Sequence, residues 1–254
     1  MVTTLLKSTL REIRQSLGRY LAIFAIILLG VGVYGGLKMS QPDMMATGIQ
    51  YIDEQRLFDF RLPSTLGFTE EDVDYFDGLK AVDTARGAVY TEFLCRDEEG
   101  VETVLMAHSI TDGINLPNLK SGRMPEDADE CLGDANYFSA DDIGRTIRVS
   151  PGNDEDTLEL LAYEEYTLVG VAQSPNYLNM ERGTASIGGG SISAFLLIPE
   201  DGFDFEAYYE IYLTLKDMPE AYSEEYDDRM DAFKSELEQL TEERADLRYT
   251  TLYE

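Results

Sequence analysis

The stretch YLAIFAIILLGVGVYGGL, residues 20–37, decides how this chain is organised. It carries no charge, and as a helix it would be about 27 Å long, close to the ~30 Å hydrocarbon thickness of a bilayer. Lys7, Arg11, Arg14 and Arg19 precede it against one acid, Glu12. Basic flanks stay on the cytoplasmic side. These four residues are therefore the expected topology determinants, with the N-terminus in the cytoplasm and the main domain outside the cell (plasma) membrane. A cleaved signal peptide is the competing reading. Its apolar core is usually shorter and ends in an A-x-A-like site, which the following Lys38-Met39-Ser40 does not supply. A retained transmembrane helix over residues 20–37 is the expectation.

Outward on the N-terminal side, Leu6, Leu10, Ile13, Leu17 and Leu21 recur at three- and four-residue steps, with the bases mostly off that stripe. This predicts an interfacial amphipathic helix over residues 1–19, lying on the cytoplasmic leaflet of the membrane lipid bilayer. Within the span, Gly32 and Gly36 form a GxxxG pair that would let a second helix approach closely. They are the candidate helix-packing residues, and a homodimer through them is one expectation. Simple abundance of glycine in membrane helices is the other. On the C-terminal side a helical extension is expected over residues 38–57, with Pro42 as a point that would kink or end it.

Charge is divided unevenly. The chain has 49 Asp+Glu against 20 Lys+Arg, a net charge of −29. Residues 1–38 hold five of the bases and one of the acids, leaving 15 basic and 48 acidic residues beyond. Such a surface repels phosphate backbones and anionic headgroups, which excludes nucleic-acid binding. It does not imply disorder: 16 Tyr, 11 Phe and several β-type apolar runs are more than an unfolded segment carries. Two cysteines, Cys95 and Cys131, permit one disulfide outside the membrane, or two buried free thiols.

Beyond residue 57 the pattern is α+β. A strand-like stretch covers 58–62, and Thr69 caps a short acidic helix whose buried face would be Val73, Phe76 and Leu79. Strands are expected at 87–95, 101–108, 146–150, 166–173, 193–198 and 208–216, with turn-rich segments at 113–125, 151–156, 174–183 and 188–191. In the last strand Tyr208, Glu210, Tyr212 and Thr214 alternate with Tyr209, Ile211, Leu213 and Leu215, the period of a half-buried strand. Residues 58–222 thus form the extracytoplasmic domain. Residues 223–254 form a C-terminal amphipathic helix in which Tyr226, Met230, Phe233, Leu237, Leu240 and Leu247 make a stripe broken at Arg244. The stripe would pack on the domain's own sheet, with a stalk as the alternative.

No motif specifies catalysis. His108 is the single histidine, so neither a histidine metal cluster nor a His-dependent triad has its parts, and His108 is expected as a strand residue with a satisfied side chain. The run Ile187-Gly188-Gly189-Gly190-Ser191 lacks the GK[ST] ending of a phosphate-binding loop and reads as a flexible tip. Asp154-Glu155-Asp156 lacks the ligand spacing of a calcium loop. The expectation is a protein that is not an enzyme, with no catalytic, cofactor-binding or metal residues and no cofactor.

One resemblance adds to this reading. REIRQSLGRYLAIFAIILLGVG, residues 11–32, is continued by Gly36-Leu37-Lys38 and Pro42-Asp43-Met44. Asp59-Phe60, Gly67-Phe68-Thr69, Ile114-Asn115, Gly122-Arg123-Met124-Pro125 and Glu130 follow in order. Then come Ile143-Gly144, Val169-Gly170-Val171, Ser174-Pro175-Asn176-Tyr177 and Glu181-Arg182-Gly183. This succession resembles the first part of an FtsX/MacB-like ABC-transporter permease. The resemblance implies a MacB-like external domain that transmits the motion of a separate ATP-binding subunit to a substrate or partner, alongside further permease spans. The sequence ends at Glu254 with one span, so it reads as the N-terminal portion of such a permease. The alternative is a stand-alone membrane-tethered binding or scaffold domain.

Overall fold

The computed structural model describes residues 17–97, 99–221 and 223–253. The expected interfacial helix, with Lys7, Arg11 and Arg14, lies outside the described residues. The chain divides into two compact units, Met1–Tyr51 and Ile52–Glu254.

The described part of the first unit is helical, the bulk of α1 (Leu17–Gln55). Pro42 sits inside this helix without ending it; a proline removes one intrahelical bond, and the turns on either side keep theirs. Among the described residues α1 is the one helix long and apolar enough to cross a membrane. Its large apolar side chains are exposed, Ile26 at 69 % and Leu29 at 66 %, an apolar surface of the kind that lipid or a partner covers.

The second unit is mixed α+β. Its smaller sheet has three antiparallel strands in the order β1 (Phe60–Phe68), β10 (Tyr208–Leu215), β2 (Val82–Ala88), with Leu62 opposite Ile211 and Tyr212 opposite Arg86. Helices α2 (Glu70–Asp77) and α4 (Glu224–Tyr253) cover one face of it. The core there joins Phe76, Ile211, Leu213, Phe233 and Leu237, with Val73, Leu79, Met230 and Leu240 packed at its edge. Burying a side chain such as Phe76 contributes about 2 kcal/mol. Thr69 closes a capping box with Asp72 at the start of α2, satisfying two backbone donors that would otherwise be unpaired.

The larger sheet uses β3 (Tyr90–Arg96), β4 (Glu102–Ser109), β5 (Asn118–Gly122), β6 (Glu130–Asp134), β7 (Thr146–Val149), β8 (Glu165–Gln173) and β9 (Ala194–Ile198). Their order is β5-β8-β6-β9-β4-β3-β7, and β7 also pairs with β8. That last pairing closes six strands into a barrel, with β5 sharing the second edge of β8. Strand alternation divides the side chains: Leu105, Ala107, Ala194, Leu196 and Ile198 belong to the interior cluster. Met106, Phe195 and Leu197 belong to a second cluster on the outer face. Closure is partial, since β3 meets β7 only at Cys95 and Arg96, but it leaves less open edge than a flat sheet would.

Several expectations need correction. Residues 87–95 are not one strand; Val89 separates β2 from β3. The segment read as turn-rich at 113–125 contains β5, and that at 151–156 leads into a helical turn, α3 (Glu155–Leu160). Asp154 is its N-cap, accepting the Thr157 N–H at 2.8 Å. β10 is buried on both faces from Glu210 to Leu215, so its alternation separates two interiors rather than core from solvent. Cys95 and Cys131 are free thiols, Cys131 buried in the barrel interior and Cys95 partly buried beside the same cluster; burial pushes both thiols up from their ordinary pKa.

The stripe of α4 packs on the three-stranded sheet through Phe233 and Leu237. Arg244, the residue that breaks it, has its own partner: its Nε donates to buried Asp72 at 2.7 Å and its guanidinium lies 5.0 Å from the centre of the Tyr75 ring. Leu247 is 59 % exposed.

Candidate functional site

The last turn of α1 ends in a closed hydrogen-bond arrangement. Arg56 adopts φ +49. Its N–H donates to Asp53 O at 3.2 Å, and Leu57 N–H donates to Ile52 O at 3.1 Å. This is the Schellman pattern, with arginine where glycine is usual. Two further carbonyls at the helix end are taken by another segment. Asn115 N–H donates to Arg56 O at 2.9 Å, and Leu116 N–H donates to Gln55 O at 2.8 Å. Asn115 Oδ1 then accepts the Phe58 N–H at 3.1 Å.

Asn115 itself has φ +53, a conformation asparagine tolerates better than most residues. Thr111 holds the same loop by donating to Ile114 O at 2.7 Å. The Arg56 side chain reaches the other way, to Asp83 at 2.7 Å. The loop between β4 and β5 therefore clasps the helix end through backbone bonds, and Arg56 ties it to β2.

Beside the clasp runs a polar and aromatic seam. It lies on the outer face of the barrel and on the face of β10 opposite the helices. Glu210 is 1 % exposed, pairs with Arg61 of β1 and accepts the Tyr212 hydroxyl. Tyr212 stacks on Phe58 with ring centres 5.0 Å apart. Asn176 Nδ2 donates to the Tyr212 hydroxyl oxygen at 3.4 Å. Arg61 lies 5.8 Å from the Tyr90 ring centre, and that ring is 6.0 Å from the ring of His108.

His108 Nε2 meets the Tyr177 hydroxyl at 2.7 Å. Tyr177 stacks on Phe195 at 4.9 Å and 2°, with Arg182 over both rings. Arg182 is buried with Asp134, Nη2 to Oδ1 at 3.0 Å, the two side chains 4 % and 2 % exposed. The contacts run unbroken from Arg61 in the small sheet to Asp134 in the barrel.

The electrostatics follow from burial. His108 is pushed down to about 4, first by desolvation and second by the Arg61 charge, so it is neutral at ordinary pH. Tyr177 is pushed up to about 12, mainly by desolvation. A third pair secures the strand approaches: Arg123 Nη1 donates to Glu130 Oε2 at 2.7 Å, and Glu126 N–H donates to the same oxygen at 2.8 Å. These bonds, with that of Arg123 largest, hold Glu130 at about 2.

The sequence strings Ile114-Asn115, Ser174-Pro175-Asn176-Tyr177, Glu181-Arg182-Gly183 and Gly122-Arg123 with Glu130 supply most of these contacts. Their roles were not readable from sequence, because each partner is distant in the chain. Arg19 lies exposed in α1, and Gly32 and Gly36 have no atom within 4 Å of an added Cβ. Among the described residues no three His, Cys, Asp or Glu side chains converge as metal ligands. A cleft of ≈ 510 Å³ is lined by Glu70, Asp74, Asp112 and Glu200 with Arg86, an exposed and mainly anionic surface.

No family model matches the chain, and no curated protein matches it. Several solved structures are similar. One is the extracellular domain of the noncanonic ABC-type transporter YknZ from Gram-positive bacteria: 14 % identity, 62 % of this chain and 81 % of that one, TM-score 0.40. Another is the periplasmic region of MacB from Actinobacillus actinomycetemcomitans: 11 % identity, 67 % of this chain and 74 % of that one, TM-score 0.38.

Proposed function

We propose that this chain is the N-terminal anchor and external domain of an ABC-type permease, in which the external domain carries motion driven by a separate ATP-binding subunit to a substrate or partner. The observation that carries this reading is the clasp. A helix long and apolar enough to span a bilayer ends, at Gln55 and Arg56, in backbone bonds donated by Leu116 and Asn115. Held this way, residues 55 and 56 belong to the hydrogen-bonded frame of the second unit, at the point where the chain leaves the apolar helix. Some of the ordered sequence strings contribute to this arrangement, Asn115 to the clasp and Asn176, Tyr177 and Arg182 to the seam. In this proposal the N-terminus with Lys7, Arg11, Arg14 and Arg19 is cytoplasmic, and Gly32 and Gly36 face another permease helix or a second copy of this one.

The test is isolation of the tagged chain from its native membranes in mild detergent. An ATP-binding subunit should co-isolate. In the intact assembly, trapping that subunit with ATP and vanadate should change the hydrogen exchange of the Asn115 and Leu116 amides. A chain isolated without any ATP-binding subunit, its exchange indifferent to nucleotide, would overturn the reading in favour of a tethered binding domain.

A further inference from the structure

Between the clasp and the seam lies a small recess of ≈ 10 Å³, lined by Asn115, Asn176, His108, Ser174 and Tyr212 among others. Two buried polar atoms of its lining have no hydrogen-bond partner, Asn115 Nδ2 and Asn176 Oδ1. Asn115 is 7 % exposed. Leaving both atoms unpaired in such a place is costly, because each loses its hydration without compensation.

The orientation of both amides is determined by their other bonds. Asn115 Oδ1 accepts the Phe58 N–H, so a flipped amide would set donor against donor. The Tyr212 hydroxyl gives its proton to Glu210 and must accept from Asn176 Nδ2, which leaves Asn176 Oδ1 as an acceptor. The two residues thus bring to this lining one unpaired donor group, Asn115 Nδ2, and one unpaired acceptor, Asn176 Oδ1. An occupant of the recess must accept from the first and donate to the second. An ammonium ion cannot accept, an anion without a proton cannot donate, and the volume, about that of one water-sized sphere, is too small for a polyatomic anion.

We propose that this space is a binding site for one ordered water molecule, which accepts from Asn115 Nδ2 and donates to Asn176 Oδ1. The water completes a hydrogen-bonded path from Phe58 through Asn115 and Asn176 to Tyr212 and Glu210, joining the helix clasp to the inter-sheet seam. The site follows from the amide geometry alone and holds whether or not the chain serves a permease.

The test is a crystal structure of the full chain from a lipid mesophase, at a resolution that shows ordered water. It is paired with water-to-amide NOE spectra of the full chain in micelles. The expected result is a density peak about 2.7–3.2 Å from both atoms, and a water cross-peak at the Asn115 side-chain amide that Asn176→Leu abolishes. A direct Asn115–Asn176 amide contact, an empty space, or a wild-type protein lacking the cross-peak would each overturn it. The wild-type measurements decide the matter even where the variant fails to fold.

Discussion

Asn115 donates its backbone N–H to Arg56 O at 2.9 Å, and both residues hold left-handed backbone, φ +53 and +49. Two strained non-glycine residues meeting at one hydrogen bond make the clasp sensitive to residue type. Asn115→Gly keeps the backbone but unpairs the Phe58 N–H, and should cost about 1 kcal/mol. Asn115→Val adds a β-branched side chain in a disfavoured region and should cost on the order of 3 kcal/mol. Thermal unfolding of the full chain in micelles reads both, and equal melting temperatures would count against the backbone argument.

Asp134 and Arg182 form the most buried ion pair among the described residues, and removing one partner leaves an unpaired charge inside. Asp134→Ala or Arg182→Ala should each destabilise by roughly 3–5 kcal/mol. The joint change Asp134→Ala with Arg182→Ala should destabilise by much less than the two single changes combined. Additivity in that double-mutant cycle would show that the pair acts as two independent packing groups.

His108 gives a pH dependence with a defined sign. Its folded pKa is about 4 against ~6.5 when unfolded, so between these values the unfolded chain binds more protons. The His108 contribution is full above pH ~6.5 and is lost as the pH falls toward 4. Arg61, with its partner Glu210, and the hydroxyls of Tyr90 and Tyr177 are the charged and titratable groups around it. The many carboxylates titrate nearby, so the quantity to measure is the difference in stability between wild type and His108→Gln. That difference should shrink as the pH is lowered from 7 to 4; a constant difference would refute the assignment.

Two glycines separate conformation from space. At Gly122, φ is +84 and an added Cβ would lie 2.3 Å from Val169 O, whereas at Gly144, φ is +93 with nothing within 4 Å. Gly144→Ala should cost about 1 kcal/mol from backbone strain alone. Gly122→Ala must also displace β8 and should cost several times more. Comparable melting temperatures for the two variants would contradict this.

Gly32 and Gly36 have open space around them, so Gly32→Leu with Gly36→Leu should leave the melting of the external domain unchanged. If these residues pack against another helix, the pair of changes should weaken cross-linking between membrane helices by at least several-fold. Undiminished cross-linking would remove them from the interface.

The sequence alone determined those features that repeat along the chain. An uncharged run gives α1, a three- and four-residue stripe gives the buried face of α4, and a period of two gives β10. Local chemistry also sufficed for the Thr69 cap, because its partner Asp72 lies three residues away. Tertiary structure decided what depends on closure and distance. The pairing of β7 with β8 makes the barrel and turns the alternation of Met106 and His108 outward, toward the seam.

It also gave Arg244 its partner, Asp72, 172 positions away, and joined His108 to Tyr177 across 69 positions. Asn115, Asn176 and Arg182 look like ordinary loop residues in sequence. Their work depends on desolvation and on one or two hydrogen bonds to groups far along the chain, and no local periodicity records either.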